Sequence, residues 1–247
     1  MKPYVIVSPD YDYTSGGIKV MWGLYGHLLA RGHEVYMNRY PHSDVVAIYP
    51  EIYGSNPIGA KTVVRYILNK LGVMHGAGEP LKEINPHEHN YYFSRLFGDT
   101  DDDHYMFLPV INLDIFKDQK KNRDKSAVFF GKGQDKGLHK PSTIIDRSNA
   151  IDQQDLADFL NECEVLYTYD PVSAMTEVAR LCGTRVVYLA DGYTKEDYKK
   201  YEAGINGMSF GSDTGEMLDT DAFRSHYIAL GDTFNTKLDL LIQETQK

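Results

Sequence analysis

Apolar residues fall along this chain in short blocks separated by polar, glycine-bearing stretches. Residues 4–8 are a run the length of one buried strand. Residues 10–17 are polar and end in Ser15-Gly16-Gly17. From Ile18 to Arg31, Met21, Leu24, Tyr25, Leu28 and Leu29 recur at three- and four-residue spacing, which predicts a helix stopped by Gly32. Strands are expected over 33–39 and 44–49. A helix is expected over 58–71, with Val63, Val64, Ile67, Leu68 and Leu71 on one side. Residues 75–90 read as a loop, 99–103 as an acidic turn and 106–111 as a strand.

The pattern then restarts. Lys117–Lys125 holds five Lys or Arg in nine residues and nothing apolar, the composition of an inter-domain linker. Strands are expected over 127–130, 143–146, 164–168 and 185–189. Helices are expected over 153–163, capped by Asp152, over 174–182, stopped by Gly183, and over 221–245. Strands alternating with helices predict an α/β fold of two facing, doubly wound parallel-sheet domains. The expected division is 1–116, 117–220 and a terminal helical segment 221–247. Ligands of such sheets bind at the carboxyl ends of the strands, so an inter-domain cleft is the expected site.

Composition narrows the function classes. A net charge of −9 argues against broad nucleic-acid binding, which needs a basic face. Cys163 and Cys182 lie in apolar patterns and read as buried thiols of a cytoplasmic, reducing compartment. The opening Met-Lys-Pro-Tyr-Val-Ile-Val-Ser has no long apolar run, so neither a signal peptide nor a membrane span is expected. The nineteen tyrosines fit sugar-lining clefts, and equally half-buried strands.

Three loops carry chemistry. Gly16 and Gly17, opening the first helix, leave backbone N–H groups bare to a ligand at its positive end. Gly131-Lys132-Gly133-Gln134-Asp135-Lys136-Gly137 follows a strand and pairs close approach with two point charges suited to a diphosphate. Ser173, Ala174 and Met175 start a helix whose free N–H groups suit phosphate or sugar oxygens, and Glu177, one turn in, can accept two vicinal hydroxyls. Each has a plainer reading as a tight turn, a solvated Lys/Gly loop, or a helix cap with an acid complementing the dipole. The chain lacks both the Gly-x-Gly-x-x-Gly fingerprint and a P-loop. His87-Glu88-His89 and Asp101-Asp102-Asp103 read as loop and turn, so no metal site is expected.

Together these segments resemble the retaining, nucleotide-sugar-dependent glycosyltransferases of the GT-B fold, the large family that includes sucrose- and glycogen-synthase-like and bacterial polysaccharide enzymes. Ser15-Gly16-Gly17-Ile18-Lys19-Val20-Met21 is similar to the family's N-terminal glycine loop. Tyr49-Pro50-Glu51-Ile52 with Asn56-Pro57-Ile58-Gly59-Ala60-Lys61 resembles a bacterial subgroup, and Glu177-Val178-Ala179-Arg180-Leu181-Cys182-Gly183 resembles the family's donor helix. The resemblance implies that Gly16, Gly17, Lys132, Lys136, Ser173, Ala174, Met175 and Glu177 bind the donor, with Glu177 on its ribose. Tyr169 stands where the family has a glutamate, and the adjacent Asp170 is the expected group on the sugar hydroxyls. Glu51 is expected near the acceptor, and the terminal helix is expected to pack back on the first domain. The resemblance further implies transfer from a UDP- or GDP-sugar to a carbohydrate or other hydroxyl acceptor, with retention, no metal and no cofactor. Two alternatives remain open: a viral-type enzyme acting on hydroxymethylated DNA bases, with Lys117–Lys125 on phosphates, and a non-catalytic nucleotide- or sugar-binding protein.

Overall fold

The computed structural model describes residues 1–39, 44–74, 79–140, 142–146, 152–212 and 215–247. They form two compact units, residues 1–110 with 229–247 and residues 111–228.

The first unit is built on a parallel sheet of β1 (Tyr4–Ile6), β2 (Val35–Met37), β3 (Val46–Pro50), β4 (Thr62–Ile67) and β5 (His89–Tyr92), in the order β2-β1-β3-β4-β5. Helix α1 (Gly16–Ala30) follows β1, with the Ser15 hydroxyl accepting from Ile18 N–H as its N-cap. Gly32, at φ +81°, turns the chain out of it toward β2. Val20, Met21, Leu24 and Leu28 bury one stripe of α1 against Tyr4, Ile6 and Ile48.

The second unit repeats the plan. Strands β6 (Lys125–Phe129), β7 (Thr143–Ile145), β8 (Cys163–Thr168), β9 (Arg185–Tyr188) and β10 (Met208–Phe210) pair in parallel as β7-β6-β8-β9-β10. Helices α2 (Gln153–Asn161), α3 (Met175–Leu181) and α4 (Lys195–Tyr198) lie in its connections, and Asp152 caps α2 as expected. In each unit the order of strands is second, first, third, fourth, fifth. The winding therefore reverses between the first and third strands, which opens a crevice at their carboxyl ends.

Helix α5 (Thr220–Thr245) starts among the residues of the second unit, and from Ala229 it belongs to the first. Phe234, Leu238 and Leu241 are buried in the first unit's core, and Thr245 Oγ1 is 2.8 Å from the Tyr4 hydroxyl. No helix among the described residues is long and apolar enough to cross a membrane.

Three expectations are corrected. Residues 58–71 hold strand β4 instead of a helix. Val63 and Val64 are β-branched and stiff in a helix, and Val63–Ile67 is buried throughout, as a central parallel strand demands. Residues 106–111 are not a strand. Met106 N–H bonds Tyr92 O and the segment then runs on through the core, with Met106, Leu108 and Ile111 buried. Cys163 opens β8 instead of closing a helix. Both cysteines are free and buried, and burial pushes their thiols up, Cys163 to about 11 and Cys182 to about 12.

The basic stretch at 117–125 is tied down along its length. Gln119 N–H donates to Asn161 Oδ1 at 2.6 Å, Arg123 binds Asp118 and the Cys182 carbonyl, and Lys125 begins β6.

Candidate functional site

In the second unit, the loops that leave β6 and β8 touch at the crevice. A Cβ on Gly131 would lie 2.0 Å from Asp170 Oδ2, and one on Gly133 would lie 1.8 Å from the Tyr169 carbonyl. Gly131 also has φ +55°. No side chain fits at either position, so the glycines are set by the approach of one loop to the other. Backbone is left bare along 131–133 where strand β6 ends.

Asp170 is fully buried beneath that loop. Its Oδ2 accepts from Lys132 N–H at 3.1 Å, its Oδ1 accepts from Val172 N–H at 3.1 Å, and Oδ1 lies 2.9 Å from Lys132 Nζ. Lys132 Nζ also donates to the Val172 carbonyl at 2.8 Å. The carboxylate expected on sugar hydroxyls thus has both oxygens engaged in holding Lys132 and its loop. Lys136 Nζ sits 2.6 Å from the exposed Asp191 carboxylate and 3.3 Å from the Leu189 carbonyl. Both lysines therefore stand at the carboxyl ends of the strands, each ammonium next to an acid.

Tyr169, the residue before Asp170, is buried with its ring 5.4 Å from Phe130. Its hydroxyl accepts from Leu138 N–H at 3.1 Å. It braces the far side of the glycine loop. Tyr188 and Tyr198 hydroxyls both donate to the Pro171 carbonyl, which fixes the turn into α3.

At the start of α3 the Ser173 hydroxyl accepts from Met175 N–H at 3.2 Å, and the Ser173 carbonyl accepts from Thr176. Ala174 provides no side-chain cap. Glu177 is turned inward and only 2% exposed. Its Oε2 accepts from Thr176 Oγ1 at 3.2 Å, while Oε1 has no hydrogen-bond donor and lies 3.8 Å from Arg180 Nη2. Arg180 is buried outright. Its Nη1 bonds the Ala203, Gly204 and Asn206 carbonyls, and its guanidinium lies 4.1 Å over the Phe223 ring. Burial pulls its pKa down, opposed by the charge of Glu177. Burial, with Glu177 beside it, holds the Tyr201 hydroxyl well above its ordinary range. Arg180 and Tyr201 were not singled out in the sequence, although an acid and an arginine three apart on one helix face is a readable signal.

The first unit presents a second crevice between β1 and β3. Glu51 follows β3, is 4% exposed, and accepts from Leu68 N–H at 2.8 Å. Burial pushes its carboxyl up to about 7 against the pull of backbone N–H groups. A Cβ on Gly17 would sit 3.6 Å from Leu68 Cδ1. Gly17, in the first turn of α1, and Glu51 thus both neighbour Leu68. Ser8, just past β1, is buried with no partner for its hydroxyl.

The other polar clusters lie apart from these crevices. Asp101 pairs with His104, Asp102 with Arg95, Asp103 with Lys237 and Glu88 with Arg65. Among the described residues no group of three or more His, Cys, Asp or Glu is arranged to hold a metal ion. Four of the five cations of the basic stretch face acids: Lys120 and Arg123 share Asp118, Lys121 meets Asp158 and Lys125 meets Glu162.

No protein-family model matches this chain, and no curated protein matches it. Among solved structures, the spinosyn forosaminyltransferase SpnP is similar over 100% of this chain and 95% of that chain, at 13% sequence identity and a TM-score of 0.43.

Proposed function

We propose that this chain is a retaining, metal-independent glycosyltransferase that moves a sugar from a UDP- or GDP-sugar to an acceptor hydroxyl. The observation that carries the reading is the crevice of the second unit, where side-chain-free backbone at Gly131–Gly133 lies beside Lys132 at a topological switch point.

The donor's diphosphate takes the bare N–H groups of that loop and the ammonium groups of Lys132 and Lys136. Asp191 is exposed and free to swing off Lys136, whereas Asp170, bound to backbone on both oxygens, stays and keeps Lys132 aimed. Asp170 is thus a positioning residue. As the glycosidic bond to the diphosphate breaks, negative charge builds on the leaving oxygen. Cations held in place beforehand stabilise that charge without reorganising. The same reading gives the ribose hydroxyls to Glu177, with Ser173, Ala174 and Met175 near the phosphates. In the first unit Gly16 and Gly17 keep the donor role that the resemblance gives them, and Glu51, with a carboxyl near neutrality, takes the acceptor proton.

A second reading, a non-catalytic nucleotide- or sugar-binding protein, is favoured by the burial of both Asp170 and Glu177. Nucleic acid as a modified-base acceptor is the weaker reading, because four of the five cations of the basic stretch already face acids. Incubation with a panel of nucleotide sugars, with and without hydroxyl acceptors, separates the readings. Release of nucleoside diphosphate supports transfer, and saturable nucleotide binding without release supports the binding protein.

A further inference from the structure

Ser8 lies just past the carboxyl end of β1, 3% exposed, and its hydroxyl has no hydrogen-bond partner among the described residues. Tyr4 and Ile6 face the core that α1 covers, while Val5 and Val7 pack on the opposite face of the sheet. Val7 N–H still bonds the Ile48 carbonyl at 3.0 Å, so the chain is extended as it reaches Ser8, and alternation puts Ser8 on the α1 side. Helix α1 carries the chain from the carboxyl end of β1 back to the start of the parallel strand β2, so its first turn lies at that same end. Ser8 therefore shares one face and one end of the sheet with Gly16 and Gly17. Asn38 fixes it there: Asn38 Oδ1 accepts from Ser8 N–H at 2.9 Å and Asn38 Nδ2 donates to the Ser8 carbonyl at 2.7 Å, from a backbone at φ +56°. Both bonds go to the backbone of Ser8, so neither calls on its hydroxyl.

A buried hydroxyl without a partner costs stability that an alanine would not. A ligand gives that hydroxyl a use. Gly16 and Gly17 are the first two residues of a 15-residue helix, so their N–H groups have no partner within it and carry its positive end. Lys19 brings a cation to the same stretch. The acids nearby are accounted for: Asp12 accepts from Thr14 N–H at 2.8 Å and from Thr14 Oγ1 at 2.7 Å, Glu51 accepts from Leu68 N–H, and Asp10 is exposed. Two backbone donors, a hydroxyl and a positive helix end suit an oxyanion. We propose that Ser8 is a binding residue whose hydroxyl donates to a phosphate-type oxyanion seated on the Gly16 and Gly17 N–H groups, with Asn38 as its positioning residue. This rests on the transferase reading and deepens it, by adding a hydroxyl to the grip on the donor diphosphate.

Trp22, the chain's single tryptophan, stands in the second turn of α1, and its indole N–H donates to the carbonyl of Pro9, the residue after Ser8, at 3.2 Å. Its emission therefore reports on the start of α1. The intact protein is titrated with inorganic pyrophosphate, and in parallel with chloride at matched ionic strength. A saturable emission change is expected with pyrophosphate and none with chloride. Ser8→Ala should weaken pyrophosphate binding about tenfold, the worth of one hydrogen bond to a charged group, with a melting temperature equal to or above the parent's. Asn38→Gly, which keeps the left-handed backbone and drops both bonds to Ser8, should weaken binding in the parent and add nothing in Ser8→Ala. The proposal is overturned if pyrophosphate leaves the emission unchanged, if chloride matches it, if Ser8→Ala binds as the parent does, or if Ser8→Ala loses melting temperature together with affinity. Additive losses in the double variant would overturn the role of Asn38. Calorimetry with UDP and GDP on the same samples keeps the two readings apart. Pyrophosphate binding that depends on Ser8 without any nucleotide binding would sink the transferase reading alone, and nucleotide binding that Ser8→Ala leaves unchanged would sink the Ser8 proposal alone.

Discussion

Asp170 Oδ2 accepts the Lys132 backbone N–H while Asp170 Oδ1 lies 2.9 Å from the Lys132 ammonium, so one buried carboxylate fixes both the loop and the charge it carries. Asp170→Asn keeps the shape but can serve only one of these partners as before. It is expected to lower stability by about 1–3 kcal/mol through a less well satisfied buried network. It should weaken UDP or GDP binding as much as Lys132→Ala does. Calorimetry on both variants and on the double variant checks this. Additive losses would mean that Asp170 does not act through Lys132.

The glycine loop gives a graded test. Gly133→Ala places a Cβ 1.8 Å from the Tyr169 carbonyl, and Gly131→Ala adds a left-handed backbone to a 2.0 Å clash. Each should cost about 3 kcal/mol and abolish nucleotide binding. Gly137 has φ +64° but open space around it, so Gly137→Ala should cost only about 1 kcal/mol. Urea denaturation of the three variants checks the order.

Glu51 makes stability depend on pH. Its folded-state pKa is raised from 4.5 to about 7, so the folded protein binds this proton more tightly than the unfolded chain. Stability is then highest below the unfolded pKa and falls as pH rises from about 4.5 to about 7, by about 3 kcal/mol for this group. Glu51→Gln should remove that decline. A urea midpoint for Glu51→Gln that falls between pH 5 and 7 as steeply as the parent's would show that Glu51 is not its source.

Glu177 and Arg180 face each other across 3.8 Å inside the second unit. Glu177→Gln leaves a buried guanidinium without its counter-charge, at a cost of about 3–5 kcal/mol. The Arg180 contacts with three carbonyls remain, so the variant should still fold at low temperature. Calorimetry at that temperature should show nucleotide affinity lost together with stability. Full affinity in the folded variant would confine Glu177 to the ion pair.

Much of the architecture was legible because strands of a parallel sheet are short apolar runs and their glycine stops are explicit. Gly32, Gly183 and the Gly131–Gly133 loop all fall where the pattern places them. The β4 segment was not, because Val63, Val64 and Ile67 satisfy a helical stripe as well as a strand. Only β-branching and Arg65, which bonds Glu88 and the Tyr53 and Ser55 carbonyls, distinguish them. Strand β5 was hidden by its His-Asn-Tyr-Tyr composition at the end of a polar stretch. Sequence also marked Lys132, Asp170 and Glu177 as chemical residues without showing which way each points. The inward turn of Asp170 and Glu177 depends on partners far along the chain, such as the Ala203 and Gly204 carbonyls that hold Arg180.

The central claim is sugar transfer from a nucleotide donor held in the second unit. Its most direct test is nucleoside diphosphate release from UDP- and GDP-sugars in the presence of neutral oligosaccharides, measured on the parent and on Lys132→Ala. Release by the parent that depends on both substrates and falls at least tenfold in Lys132→Ala is the predicted result, since one lost cation at the leaving group costs at least about 1.4 kcal/mol of barrier. No release with any donor, or release that Lys132→Ala leaves unchanged, would contradict it.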